Sequence, residues 1–391
     1  MKKASRFMQM KRTVLKHICG VAVSLLAVQA FATTYYVKVD GDDSKDGKSW
    51  ENAWATPKLT GLGGNGHEVV ISNGVYHMTD RMYYGNSRTT LRGFSGKASD
   101  VILDGGGTTR LIGGNGTLSN VVMNLTLRNG YSNQNDGGGL IRLEANGGGM
   151  WNSIWHVYSN VVFSGGCHTG RGGAAYLAGG CTFYDCVFTN CTAATGGAVR
   201  SDGSNTTTFV RCTFADNRAT NEGGSVFAQY LTDFRDCIFA RNSSGKQGGA
   251  LYLTSGGYDA VVSNCTFAAN TVAATQGGAI HSAASANDEH GPVVLESTFV
   301  GNVGTNANGG AISGKFNLVR GCTFARNHAV RTGTTGGYGG VWYYSVGNHT
   351  YNPVTRLRPE ERSAAAGHRL LRAAVSFARA PAHGAVAKGR R

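Results

Sequence analysis

The sequence predicts an all-β chain, a parallel β-helix solenoid with an N-terminal cap, and three observations predict it. A Phe recurs at Phe163, Phe188, Phe214, Phe239, Phe267, Phe299 and Phe324, at separations of 25, 26, 25, 28, 32 and 25 residues. A period of this size marks a solenoid, in which each repeat touches only its neighbours. Each Phe is followed by a Gly-Gly pair, beginning at Gly172, Gly196, Gly223, Gly248, Gly277, Gly309 and Gly339. Five cysteines, Cys186, Cys212, Cys237, Cys265 and Cys322, stand two residues before a repeat Phe. Leu is not periodic and no four-stranded blade repeats, which excludes a leucine-rich repeat and a propeller. Glycine, at 59 residues, shows no three-residue period, which excludes collagen.

In chain order, residues 1–32 read as a secretory signal. Six basic residues precede an apolar run from Ile18 to Val28, and Ala30-Phe31-Ala32 offers a cleavage site. The apolar run is too short to span a bilayer. Residues 33–110 form the cap and first turns, with Tyr35 to Val39 alternating like a strand. Residues 111–350 carry the solenoid, starting with a looser coil at Asn124-Leu125-Thr126-Leu127. Residues 351–391 are a basic Ala/Arg-rich tail without the repeat, read either as disordered or as not native to the frame.

The formal charge of +14 is concentrated at the ends. Residues 1–32 hold six Lys/Arg and no acid, and residues 352–391 hold nine Lys/Arg and two Glu, which leaves about +1 for the body. A body so nearly neutral is not a nucleic-acid binder.

Within a coil, Cys and Phe of Cys-x-Phe share a face, because strand side chains alternate, and so line the interior. The residue between them points out and is mostly β-branched: Val187, Thr213, Ile238, Thr266, Thr298, Thr323. Three residues after Phe stands Asn217, Asn242, Asn270, Asn302 or Asn327. Asn tolerates left-handed backbone and hydrogen-bonds across a bend, so stacked coils predict an Asn ladder. Gly-Gly makes a second bend that a side chain would obstruct. The cysteine spacing follows the repeat, so Cys212, Cys237, Cys265 and Cys322 are expected inside, packed rather than paired. No C-x-x-C exists to suggest zinc.

Phe-x-x-Asn followed by Gly-Gly-Ala and an aliphatic residue resembles the repeat of the polymorphic outer membrane proteins of chlamydiae. The matches are Phe214–Asn217 with Gly223-Gly224-Ser225, Phe239–Asn242 with Gly248-Gly249-Ala250, Phe267–Asn270 with Gly277-Gly278-Ala279, and Phe299–Asn302 with Gly309-Gly310-Ala311. The Tyr-Tyr-Val start, followed by Asp-Gly-x-Ser-Trp, is similar to that of secreted bacterial β-helix proteins of the pectate-lyase-like superfamily. The resemblance implies a right-handed parallel β-helix displayed as a surface adhesin. That family ends in a membrane β-barrel, for which residues 346–391 are too few, so the chain as written is not expected to be an integral membrane protein.

Several residue sets are candidates for chemistry. Asp42, Ser44 and Asp46 with Gly47 resemble the first half of a Ca²⁺ loop, although Ala53 stands where the loop needs Glu; a polar turn closing the cap is the other reading. No other cofactor is expected. Gly61 to Gly66 fits G-x-G-x-x-G, but no helix pattern follows, so a dinucleotide site is excluded. His168, Arg171 and Asp185 offer an acid–base pair and a cation for a polysaccharide lyase or hydrolase, with no neighbouring carboxylate pair; solvated polar residues at turns are the alternative. The residue two places after the small residue of Gly-Gly-small is expected to face out, giving a column of Tyr176, Arg200, Phe227, Tyr252, His281, Ser313 and Tyr343. Flat exposed rings there suit sugars or a partner's pockets; a ladder that only stabilises its own sheet is the alternative.

The expected function is an exported protein, at the cell surface, in the outer membrane or outside, that binds a glycan or a host or cell-surface protein without catalysis. The alternative is a secreted polysaccharide lyase or glycoside hydrolase on the same fold. Because no repeat residue lies in the tail, deleting residues 352–391 should leave the thermal midpoint unchanged. An unfolded truncation in a melting scan would make the tail part of the fold.

Overall fold

The computed structural model describes residues 33–351, less 60, 63–65, 85–87, 115–118, 135–136, 144–154, 204–205, 255–259, 285–289, 333–336, 338 and 347–348. The signal and tail segments lie outside the described residues. Among the described residues every paired strand is parallel to its neighbour, except in the hairpin of Trp342–Val346 with His349–Tyr351.

One coil shows the plan. Thr207–Val210 runs on a first face, Thr213–Ala215 on a second, Arg218–Ala219 on a third and Val226–Ala228 on a fourth. The next coil returns beside the first, with Phe234 opposite Phe209. Repetition builds a parallel sheet along each face. The first two faces merge where Val121–Arg128 and Trp155–Ser164 run through the corner unbroken. The cap belongs to this ladder from its start: Thr34–Val37 pairs in parallel with His67–Ile71, so the first face begins well before the looser coil at Asn124. Trp54 closes the N-terminal end, stacked 4.8 Å from Tyr35 with its indole N–H on Lys45 O at 2.9 Å.

Parallel pairing in register puts equivalent residues directly above one another. On the second face this aligns Tyr76, Leu103 and Leu127 with the repeat Phe column. The Phe rings stack nearly parallel, at 4.5 Å for Phe163 on Phe188 and 4.7 Å for Phe188 on Phe214. The sequence reading missed a second stack on the first face, Tyr158, Phe183, Phe209 and Phe234, which meets the first edge-to-face. Both columns are buried and contribute apolar area to the core.

Each coil turns through left-handed residues at two corners. Asp185, Arg211, Asp236, Asn264 and Glu296 precede the cysteine position, and Asn190, Asp216, Arg241, Ala269 and Arg326 precede the Asn position, all with φ between +48° and +59°. The expectation that the ladder Asn itself adopts this conformation is therefore corrected. The left-handed residue faces out at the corner, which leaves the next side chain pointing in along the axis.

That inward position makes the ladder. Asn242 Nδ2 donates to Phe214 O (2.9 Å) in the coil behind and to Asn270 Oδ1 (2.9 Å) in the coil ahead, and Asn270 Oδ1 also accepts the Asn242 N–H at 3.0 Å. The same three bonds recur at Asn217, Asn270 and Asn302 and close at Asn327 on Phe299 O. From Asn217 to Asn302 the backbone N–H and both side-chain amide hydrogens each find an acceptor.

The cysteines do the equivalent at the other corner. Cys212 Sγ lies 3.4 Å from Phe183 O, Cys237 Sγ 3.5 Å from Phe209 O and Cys265 Sγ 3.6 Å from Phe234 O. All eight described cysteines are free thiols, and burial pushes Cys212 and Cys265 above the usual thiol range. Cys322 departs from the expected burial; it is half-buried, in the last of the described coils. The Gly-Gly corner is tighter still. Gly223 has φ +65°, and a Cβ on Gly224 would sit 2.0 Å from Gly249 O in the next coil.

Two outcomes follow. Asn270→Ala removes one end of each of two ladder steps and leaves their partners buried, so unfolding should be easier by about 1–3 kcal/mol, measured by denaturant titration. An unchanged midpoint would remove the ladder from the account. Among the eight described cysteines, native thiol labelling should be fast at no more than the half-buried Cys167 and Cys322, and complete only after denaturation. Fast native labelling of Cys212, Cys237 and Cys265 would contradict the buried stack.

Candidate functional site: the outward column of the fourth face

Strands of the fourth face are three residues long up to the last, Trp342–Val346, and typically bury their first and third side chains, as in Leu251-Tyr252-Leu253. The middle residue therefore points out. Coil-on-coil register aligns ten such residues: Tyr83, Gly113, Arg142, Tyr176, Arg200, Phe227, Tyr252, His281, Ser313 and Tyr343. Tyr83, Gly113 and Arg142 were missed from sequence, because their coils lack the Gly-Gly-small offset that identified the others. Beside the column runs a polar row, one residue before each Gly-Gly: Arg171, Thr195, Glu222, Gln247, Gln276 and Asn308. The left-handed first glycine turns the chain so that the two rows touch. Arg200 Nη1 donates to Thr195 Oγ1 at 2.9 Å.

The rings do not lie flat on the surface as expected. Arg200 sits 4.1 Å over the Phe227 ring, Phe227 stacks on Tyr252 at 4.8 Å and 22°, and Tyr252 meets His281 at 5.4 Å and 35°. The planes lie across the solenoid axis, so each face covers its neighbour's and the edges point outward. Packing at the coil spacing leaves no other arrangement for adjacent rings. The Arg200 guanidinium is also held by Asp202, at 2.8 Å to each carboxylate oxygen.

Three members of the column are buried, Gly113 among them. His281 is 6% exposed and Ser313 0%. His281 Nδ1 and Ser313 Oγ are 2.8 Å apart, and burial pushes the imidazole down to about 4, so it is neutral at pH 7. Side-chain parity sets the direction of these residues, and their neighbours along the column then cover them. Next to them lies a cavity of about 380 Å³, bounded by Tyr252, His281 and Tyr343 along the axis, Gln247 and Gln276 on one side and Lys315 on the other. No carboxylate is among its described lining residues.

The proposed catalytic set is not assembled. His168 is buried on the third face, its Nδ1 taken by the N–H of Gly170 (2.7 Å) and Arg171 (2.8 Å), and its Nε2 donates to Gln134 O at 2.8 Å. Both ring nitrogens thus serve the backbone. Asp185 sits at the corner between the first and second faces, in a two-bond ion pair with Arg211 at 2.7 and 2.8 Å. A left-handed corner residue can reach only its stacked neighbour there, not the third face.

The Ca²⁺ reading finds no convergent carboxylates. Asp42 Oδ1 accepts the backbone N–H (2.9 Å) and hydroxyl (2.7 Å) of Ser44, and Asp46 Oδ1 accepts the Lys48 N–H. Asp43 pairs with Lys58 at 3.1 Å. These are turn contacts, and no group of three metal-binding side chains occurs among the described residues.

No curated protein matches the sequence. Among solved structures the chain resembles pectin methylesterase from Aspergillus niger in a penultimately deglycosylated form, at 13% identity and a TM-score of 0.32, over 83% of this chain and 93% of that one. The deglycosylated form of that enzyme matches at 13% identity and a TM-score of 0.31, over the same shares. Neither likeness bears on activity. A family model described as a right handed beta helix region matches residues 149–327. With the stacked parallel faces described above, the chain is a right-handed parallel β-helix.

Proposed function

We propose that the chain is exported and, at the cell surface or outside, holds a glycan or a surface protein on its fourth face without altering it chemically. The observation that carries this reading is the ten-coil outward column with a cavity set into it. Outward rings and amides are not required by the core, and a concave site edged by aromatic and amide groups is what a binding surface uses. The leader-like residues 1–32 and the resemblance to surface-adhesin repeats support export and display.

Catalysis has less support. A glycoside hydrolase needs two carboxyl groups facing one bond. Around the cavity none is present among the described lining residues. Arg200 in the column is held in an ion pair with Asp202.

The test is a glycan array and a set of immobilised surface proteins probed with the full chain. The double change Phe227→Ala and Tyr252→Ala should weaken the bound ligand by about 1–3 kcal/mol while the chain still melts cooperatively. Absence of any ligand, or binding indifferent to both changes, leaves the column as a ladder for its own sheet. Depolymerisation of an acidic polysaccharide by the chain would establish the enzyme reading instead.

A further inference from the structure

We propose that the C-terminal end of the solenoid, at its last described coil, docks end-on against an acidic phospholipid surface. The proposal goes beyond the binding reading above and does not depend on it, since it concerns another part of the molecule and another partner.

Charge separates along the axis. Residues 33–292 carry 18 Lys/Arg and 20 Asp/Glu, whereas residues 293–351 carry four Lys/Arg and the single acid Glu296, a change from −2 to +3. The four cations go once round the last coil. Lys315 follows the fourth-face strand Ile312–Gly314, and Arg320 ends the first-face strand Leu318–Arg320. Arg326 turns the corner after Thr323–Ala325, and Arg331 follows the third-face strand His328–Val330. The three arginines are exposed. In earlier coils a corner cation meets an acid of the adjacent coil, as Arg211 meets Asp185 and Arg241 meets Asp216. In the last coil the register sets Arg320 beside Leu295 and Arg326 beside Gly301, neither of which offers a carboxylate. Contacts within the chain hold the three arginines. Residues 352–391, with nine Lys/Arg and two Glu, do not supply the acids to reverse their charge.

The layout selects the partner. A linear acidic polymer is held by a row of cations along one face. Here the cations stand on different sides of one coil, and a coil is only about 4.8 Å thick, so they lie near one plane across the axis. A flat acidic surface is what meets them together, within one screening length. The same end carries apolar and aromatic groups suited to lipid. Val330, 40% exposed, precedes Arg331, and residues 338–351 include Tyr338, Trp342, Tyr343, Tyr344 and Tyr351. Tyr and Trp concentrate where a bilayer meets water, because each pairs an apolar ring with a hydrogen-bonding group. Docked end-on, the solenoid stands upright from the lipid with the fourth face along its side.

The experiment is co-sedimentation of the full chain with vesicles of equal parts phosphatidylglycerol and phosphatidylcholine, and with vesicles of phosphatidylcholine alone. Binding should need the acidic lipid. It should be lost on raising salt from about 0.1 M to about 1 M, where the screening length falls from about 10 Å to about 3 Å. Arg320→Gln, Arg326→Gln and Arg331→Gln together should weaken it about tenfold or more. Lys97→Gln, Arg218→Gln and Lys246→Gln together remove the same charge from exposed positions in earlier coils and should change binding by less than about twofold. Cooperative melting of each variant separates loss of binding from loss of fold. Equal weakening by both sets would reduce the effect to net charge and overturn the end-on site. Weakening confined to Lys2→Gln, Lys3→Gln and Arg6→Gln, or to Arg369→Gln, Arg372→Gln and Arg379→Gln, would give the binding to a flanking segment and overturn it as well. Binding indifferent to lipid charge would overturn the proposal, as would capture by a soluble polyuronate with no acidic vesicle bound. None of these outcomes bears on the fourth face, whose ligand is tested separately.

Discussion

Coil-on-coil parallel pairing in fixed register is the constraint on which the rest depends. Once one strand is placed, every equivalent residue lies about 4.8 Å above the last. A position can then hold only a group that tolerates its own copy as a neighbour. Stacked Phe rings meet this condition, as at Phe267 on Phe299, 4.7 Å apart with planes 4° from parallel. A buried carboxamide meets it because it is both donor and acceptor. A buried carboxylate does not, since like charges would repeat at every step. Acids and bases accordingly alternate at the outer corners, as Asp216 does with Arg241.

The same rule sets what the surface can do. Facing outward, a column is free of the core's demand but not of the spacing, so adjacent rings turn face to face and lose their faces to each other. A cavity of about 380 Å³ is set into this face, lined by Tyr252, His281 and Tyr343 among others.

Much of the architecture was legible from the sequence because a solenoid writes its geometry as a period. The Phe, Asn and Gly-Gly columns were all visible. What was not visible has physical causes. The first-face stack of Phe183, Phe209 and Phe234 gives way to Val262, so it never forms a long period. Left-handed corners fell on Asp216, Arg241 and Ala269, residue types that share no local signature. The outward column was found by parity, but parity gives the direction of a Cα–Cβ bond and says nothing of ring rotation or cover. Hence the edge-on rings, the buried His281 and the cavity needed the structure. His168 and Asp185 look adjacent in sequence, yet stand on different sides of the coil.

The central claim is that one unbroken register runs along the fourth face from Tyr83 to Tyr343. The most direct measurement is the distance between spin labels at Tyr83→Cys and Tyr343→Cys, with Cys19, Cys167 and Cys322 replaced by Ser. Nine coil steps separate the two sites. A single narrow distribution near about 43 Å, widened only by the label arms, is the expected result. A broad distribution, or a mean shorter by several coil spacings, would contradict the continuous register and with it the site built upon it.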